Sequence, residues 1–172
     1  DNPMGINGFE FVEFAAPEGQ AAGMAQYLRS LGFTAIAQHR TRAITLFRQG
    51  TINFLLNQES SGFAAEFATS HGPSACGFAI RFKTAPEQVL AHALANGGEV
   101  FTDALESRAV DFPVIRGIGD CMLYLVDDGS NDVYADFEPL DGVDQHPVGF
   151  GLTFIDHLTH NLFLGNMARW SD

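Results

Sequence analysis

Three short segments of the chain share one pattern, and their spacing constrains the fold more than any other feature of the sequence. Residues 8–14, 76–82 and 151–157 align without gaps, and each has the character of a β-strand. In each segment a charged residue directly precedes a ring residue, so that period-two geometry sends the two side chains to opposite faces of a sheet. The sequence therefore predicts repeated units, each opened by one such strand. The charged and ring residues are Glu13 and Phe14, Arg81 and Phe82, and Asp156 and His157.

The ring residues suggest different roles for the three units. If each ring points into the concave sheet of its unit, the first two units have a packed phenylalanine where the third has an imidazole. We interpret the first two units as structural and the third as the beginning of a metal-bearing module. Chance similarity is the alternative, because short strand patterns are easily matched.

The order of predicted elements repeats along the chain. Glycines end two of the predicted helices, and the residues around Gly50 form the turn of a hairpin. The predicted elements are a strand at 9–15, a helix ending at Gly32, strands at 34–38, 42–48 and 52–57, a helical connection at 60–71, a strand at 75–82, a helix at 85–95, short strands at 100–101, 114–118 and 122–126, and an extended piece at 133–137.

These elements predict an α+β fold made of two consecutive β-α-β-β-β modules plus the first strand of a third module. The modules cover about residues 8–58 and 75–137, so residues 1–137 form one N-terminal domain. Residues 138–150, with two prolines, are interpreted as a linker. Residues 151–172 are interpreted as the truncated start of a further, C-terminal domain.

The third segment carries the candidate metal ligand. On a strand, His157 and His160 face different ways, and Asp156 lies on the face opposite to His157. A neutral imidazole on a stiff strand is a good metal ligand. Two ordinary histidines near a chain end are the alternative, and spacing alone leaves both open. The remaining candidates are interpreted as structural or exposed histidines (His39, His71, His92 and His146) and as scattered loop carboxylates (Asp103, Glu106 and Asp111).

The charge balance argues against several classes of function. The 172 residues carry a formal net charge of −12, with a pI near 4.7. No basic patch is available for phosphates, so neither nucleic acid nor an anionic membrane is expected as a partner. The sequence has no recognisable signal peptide and no apolar run that could span a bilayer, which predicts a cytoplasmic protein. Cys76 and Cys121 lie in apolar segments and are predicted to be buried thiols.

Several strings of the sequence point to one family. The most specific is Ile155-Asp-His-Leu-Thr-His-Asn161, close to the end of the chain. The other strings that match the same family are Asn2-Pro-Met-Gly5 and the strand 8–14, Arg48-Gln-Gly50 with Ile52-Asn53, His71-Gly-Pro-Ser74 with Cys76-Gly77, Arg116-Gly-Ile-Gly119, Leu123-Tyr-Leu125 and Pro147-Val-Gly149. Over essentially its whole length the chain resembles 4-hydroxyphenylpyruvate dioxygenases of the bacterial type, which have the vicinal oxygen chelate, or glyoxalase-like, fold.

The resemblance implies an Fe(II) enzyme of tyrosine catabolism that converts 4-hydroxyphenylpyruvate and O2 to homogentisate and CO2. Two histidines and one glutamate hold the iron in that family. His157 matches the first of these ligands, whereas His160 is not a ligand in the pattern. The other two ligands and the substrate pocket belong to a C-terminal domain that is absent from these residues. We therefore assign no catalytic or cofactor-binding residue, and we expect the 172 residues to be inactive alone and not to bind Fe(II).

Other readings of the same resemblance remain open. The expected role of the chain is that of a scaffold in a homo-oligomer. Alternatives are the same domain of a hydroxymandelate synthase or of a dioxygenase-like fusion with a dehydratase, or a non-catalytic module that binds a small molecule or a partner. The C-terminal segment of residues 151–172, called the tail below, exposes apolar residues. It is therefore expected to add to a sheet edge or to pair with another copy. These residues are Leu152, Phe154, Leu158, Leu162, Phe163 and Trp170.

Overall fold

A computed structural model describes residues 2–16, 19–129 and 132–168 of the chain. Within these residues one eight-stranded mixed sheet runs through the whole α+β structure. None of the described helices is long and apolar enough to cross a membrane. The strands are β1 (Ile6–Ala15), β2 (Thr34–His39), β3 (Ile44–Gln49), β4 (Ile52–Asn57), β5 (Ser74–Phe82), β6 (Val114–Arg116), β7 (Met122–Asp127) and β8 (Phe137–Pro139), and the helices are α1 (Ala21–Ser30), α2 (Phe63–His71) and α3 (Pro86–Ala95).

The order of the strands confirms two joined β-α-β-β-β modules. Across the sheet this order is β6-β7-β5-β1-β4-β3-β2-β8. β1 lies parallel to β4 in the first module, and β5 lies parallel to β7 in the second. The second strand of the second module is reduced to a single bridge between Val100 and Ile115. β1 and β5 pair antiparallel at the centre, with Phe11 opposite Ala79, and so join the two modules.

The last strand pairs the start of the predicted linker with the sheet. β8 does not extend the second module but pairs antiparallel with β2, at the far edge of the first module. Most of the strand predicted at 133–137 is a turn, and the predicted linker contributes residues 138 and 139 to the sheet. The reason is packing, because the buried ring of Phe137 meets His39 edge-on at a centroid distance of 5.1 Å.

One large apolar cluster lies on one face of the sheet, and two smaller clusters lie on the other. α2 and the loop after α3 cover one face, whereas α1 and α3 cover the other. On the second face Phe14 packs against Phe54, with ring centroids 5.3 Å apart, and Phe82 packs with Val89 of α3. Both rings are therefore packed on the face that carries α1 and α3. The helices α1 and α3 need an apolar surface to pack on, which these rings supply. Glu13, the residue before Phe14, points instead to the face covered by α2.

The tail does not form the predicted strand over 151–162. Residues 152–163 have no regular secondary structure. Of the helical turn that the sequence predicts over 165–170, residues 167 and 168 are helical, and Trp170 lies outside the described residues. The tail runs across a face of the sheet, where Ile155 packs on the α1 core and His160 contacts Phe78. It does not add to a sheet edge, because the two edges are β6 and β8 and a face presents side chains rather than backbone partners.

Candidate functional site

The candidate metal ligand lies on the surface of the tail. The Nδ1 atom of His157 is 2.6 Å from the Oδ2 atom of Asp156, and about three quarters of each side chain is exposed. A carboxylate next to Nδ1 favours the tautomer with hydrogen on Nδ1, which leaves the Nε2 lone pair free for a metal ion. The expectation that Asp156 points away from His157 does not hold here, because the tail is not a pleated strand.

His157 is a single donor in this structure. Among the residues that the structure describes, no group of three His, Cys, Asp or Glu side chains could hold a metal ion. A single imidazole has the right chemistry for Fe(II), but useful affinity needs several ligands in fixed geometry. In the described residues, the polar side chain that the structure places beside the His157 imidazole is Asp156.

His160 has a different environment from His157. Its ring contacts Phe78 at a centroid distance of 5.8 Å, and its Nε2 atom lies 3.8 Å from the Sγ atom of Cys121. Burial raises the pKa of the Cys121 thiol to about 11, so the thiol is protonated at neutral pH. His160 thus contacts the body of the domain through Phe78 and Cys121.

The tail closes one side of a cavity that the sequence did not reveal. The cavity has a volume of about 270 Å³ and brings together His71 at the end of α2, Cys121 before β7 and His160 in the tail. Its apolar lining comes from Val12, Phe67, Phe78, Ile118 and Leu158. These residues are far apart in sequence, so no spacing rule could have grouped them.

A second group missed by the sequence analysis is the core polar cluster of Glu13, Asn57 and Tyr124. Glu13 is fully buried on the α2 face, and its two carboxyl oxygens accept hydrogen bonds of 2.8 Å from the Asn57 amide and the Tyr124 hydroxyl. Burial raises the pKa of Glu13, and these two hydrogen bonds offset part of the shift. The available signal was a glutamate inside the apolar run Phe9–Ala16.

The other candidates do not assemble into a site. His39 is buried at the end of β2, where its Nδ1 atom accepts a hydrogen bond from the backbone N–H of Thr41, and burial lowers its pKa. His92 and His146 are exposed, as predicted. The carboxylates at 103, 106 and 111 are also exposed; Asp103 pairs with Arg116 and Asp111 with Arg108. Both cysteines are buried and unpaired, which confirms that prediction.

The paired modules define a protein of the vicinal oxygen chelate, or glyoxalase-like, class. A solved structure of a xylose isomerase-like TIM barrel/4-hydroxyphenylpyruvate dioxygenase fusion protein superposes with a TM-score of 0.85 at 32% sequence identity, over 97% of this chain and 26% of that one. A family model described as the N-terminal domain of hydroxyphenylpyruvate dioxygenase matches residues 1–138. The chain belongs to this family, as its short sequence strings predicted.

Two curated relatives show how much of a whole protein the chain represents. The 4-hydroxyphenylpyruvate dioxygenase of Pseudomonas sp. strain P.J. 874 is 43% identical over all of this chain and 48% of the relative. The enzyme of the same name from Pseudomonas aeruginosa is 42% identical over 99% of this chain and 48% of the relative. The chain therefore spans about half the length of these relatives.

Proposed function

We propose that the chain is the N-terminal part of a 4-hydroxyphenylpyruvate dioxygenase, which converts 4-hydroxyphenylpyruvate and O2 to homogentisate and CO2 in the cytoplasm. The observation that carries the proposal is identity of 42 to 43% over essentially the whole chain with relatives of that name. The role of these residues in the whole protein is that of a scaffold. Their core is filled by packed side chains and by the core polar cluster, with no described group of ligands for a metal ion.

His157 is proposed as the one iron ligand that this chain supplies. Asp156 orients the imidazole and leaves Nε2 free. Fe(II), when bound by His157 and two ligands from elsewhere, would supply open positions for an α-keto acid and O2. The residues described here would hold and orient one donor, and by themselves they are expected to be inactive.

Substitution of the two tail histidines tests this assignment. In a protein that carries both halves, His157→Ala should abolish Fe(II) retention and homogentisate formation. His160→Ala should leave Fe(II) retention in place, and His92→Ala, on the exposed surface of α3, is the matched control. Iron retention by His157→Ala equal to that of His92→Ala would refute the ligand assignment. Homogentisate formation by the purified 172-residue chain would refute its inactivity.

A role in contacts between subunits is supported by a separate observation. Val148, Phe150, Leu152 and Phe154 alternate along the chain, and about half to three quarters of each is exposed. Such an apolar row is typical of a surface that a partner covers, so we expect a homo-oligomer. Sedimentation of the chain with Phe150→Ser and Phe154→Ser, compared with the parent, tests this expectation. A monomeric parent at high micromolar concentration would contradict it.

The fusion architecture is the second candidate. It is favoured by the superposition on the TIM barrel/dioxygenase fusion protein, of which this chain covers 26%. In that arrangement the same two modules would belong to a protein with a further catalytic domain. The reading frame around these residues distinguishes the two candidates: only a fusion would encode a barrel domain beside a dioxygenase-like half.

A further inference from the structure

The side chain of Gln49 ties the tail to the body of the domain. Gln49 ends β3, and its amide is fully buried. The Nε2 atom donates a hydrogen bond of 2.9 Å to the carbonyl of Leu31, which follows α1. The Oε1 atom accepts hydrogen bonds from the backbone N–H groups of Phe150, at 2.6 Å, and Leu152, at 3.3 Å. A single buried amide therefore links the end of α1, the β3–β4 hairpin and the tail.

Two further hydrogen bonds extend this attachment along the tail. The N–H of Gly50 donates a hydrogen bond of 2.8 Å to the carbonyl of Pro147. The hydroxyl of Thr51 donates one of 2.5 Å to the carbonyl of Thr153. Residues 147 to 153 are thus held at both ends and in the middle by three consecutive residues of the β3–β4 hairpin.

Two glycines make the close approach possible. Gly149 has a φ of +58°, and a Cβ there would lie 2.6 Å from the Cδ atom of Gln49 and would also collide with the carbonyl of Gly32. Gly32 has a φ of +91°, and a Cβ there would lie 2.9 Å from the backbone nitrogen of Phe150. Side chains are excluded at both positions on two grounds, since both lack space and both have left-handed backbone conformations.

The attachment stops shortly before the candidate iron ligand. Thr153 is its last hydrogen-bonded residue, and His157 lies four residues later with an exposed side chain. Four residues span at most about 14 Å when fully extended, so a fixed Thr153 restricts where the imidazole can lie. Beyond this point the His157 imidazole is hydrogen-bonded to Asp156, its neighbour in the tail.

We propose that Gln49 is a positioning residue and that, together with Gly32 and Gly149, it forms an exit clamp. The clamp fixes the path by which the chain leaves the two-module domain, and so the place at which Asp156 and His157 are presented. The proposal deepens the proposed function and rests on it only in so far as His157 binds iron. The clamp itself is a property of these 172 residues and can be tested without iron.

The first experiment measures the clamp directly in the 172-residue chain. Gln49→Leu keeps the side-chain volume and removes the amide, so the amide hydrogens of Phe150 and Leu152 should exchange at least about tenfold faster. Gln38→Leu is the control, because among the described residues the Gln38 amide bonds with Arg42 and Thr45 and not with the tail. Unchanged exchange at residues 150 and 152 in folded Gln49→Leu would refute the clamp.

A second variant covers the case in which Gln49→Leu fails to fold. Gly149→Ala disturbs the clamp from the tail side and leaves the buried amide in place. Gly142→Ala is its matched control, since Gly142 also has a positive φ, +71°, but has open space around it. Faster exchange at Phe150 and Leu152 in Gly149→Ala alone supports the clamp, and equal exchange in the two variants refutes it.

The second experiment asks whether the clamp positions the ligand. In a protein with both halves, Gly149→Ala should lower Fe(II) affinity about tenfold relative to Gly142→Ala, the size of effect that misoriented ligands typically cause. Loss of iron in His157→Ala but equal affinity in the two glycine variants would refute the positioning role alone. Iron retention in His157→Ala would instead refute the proposed function and leave the exchange result standing.

Discussion

The hydroxyl of Tyr124 donates a 2.8 Å hydrogen bond to the buried carboxyl of Glu13, and this contact joins the last strand of the second module to the first strand of the first. The same hydroxyl accepts a hydrogen bond of 3.0 Å from the backbone N–H of Ala109. Buried polar groups that are all paired fix one arrangement of the elements that carry them. The core polar cluster therefore sets how the two modules fit together.

Removing the Tyr124 hydroxyl should destabilise the domain. Tyr124→Phe leaves one carboxyl oxygen of Glu13 and the N–H of Ala109 without a partner, which should lower the free energy of unfolding by about 1–3 kcal/mol. Urea unfolding followed by circular dichroism measures the change. Tyr27→Phe, on an exposed tyrosine of α1, is the control and should change stability by less than about 0.5 kcal/mol. Equal stability of the two variants would show that the hydrogen bond is not needed.

Replacing Glu13 by glutamine should change how stability depends on pH. Because burial raises the pKa of Glu13 above its ordinary value of 4.5, the folded state binds the proton more tightly than the unfolded chain. The protonated Glu13 carboxyl contributes fully to the free energy of unfolding when the pH is below that ordinary pKa. This contribution is lost as the pH rises through the pKa of the folded state. The uncharged variant Glu13→Gln avoids this loss, so its stability relative to the parent should increase between pH 4 and pH 8.

Free energies of unfolding at the two pH values test this prediction. Glu138→Gln, at an exposed position in β8, is the control for the loss of one carboxylate. If the difference between Glu13→Gln and the parent were the same at pH 4 and pH 8, the carboxyl of Glu13 would not be coupled to folding.

The two cysteines should react slowly with thiol reagents in the folded protein. Burial raises the pKa of Cys121 to about 11 and that of Cys76 well above its ordinary value. At pH 8 the thiolate fraction of Cys121 should therefore be about a hundredfold lower than that of a free cysteine. Mass spectrometry after timed alkylation should find Cys121 modified before Cys76, and both modified rapidly in urea. Rapid alkylation of both cysteines without urea would contradict the burial of the two thiols.

Truncation of Phe137 should destabilise the whole domain rather than only its edge. The ring is buried between His39 and Tyr134, with centroid distances of 5.1 and 5.8 Å. Phe137→Ala should therefore lower the free energy of unfolding by about 3–5 kcal/mol, in a single transition seen by every probe. Phe163→Ala, on an exposed ring of the tail, is the control. Local loss of β8 with unchanged global stability would contradict the prediction.

Much of the fold could be read from local patterns in the sequence. The turn at Gly50, the helix end at Gly32 and the strand alternation around Phe11 each depend on neighbouring residues, and each of these elements lies within a few residues of its predicted place. The resemblance in short strings gave the family for the same reason, because strings such as Arg48-Gln-Gly50 are contiguous. The role of Gln49 within that string needed the structure.

The structural features that could not be predicted from the sequence depend on contacts between distant segments of the chain. The face to which Phe14 points is decided by α1, and the pairing of β8 is decided by the packing of Phe137 on His39. Strand propensity alone placed a strand at 151–162, but a strand requires a partner with free backbone groups. His157 could be proposed as a ligand from the repeated segment and the resemblance, whereas the Gln49 amide gives no signal in sequence that distinguishes it from an exposed glutamine.

The pairing of β8 with β2 has a consequence for how the protein folds as it is synthesised. The chain from 74 to 139 starts beside β1 at the centre of the sheet, builds the second module outward, and then returns to the far edge of the first. During translation β2 can pair with β3, but its outer edge has no partner until about residue 140 has left the ribosome. The two modules are repeats in architecture, but they are expected to reach the native state together and late, as one kinetic unit.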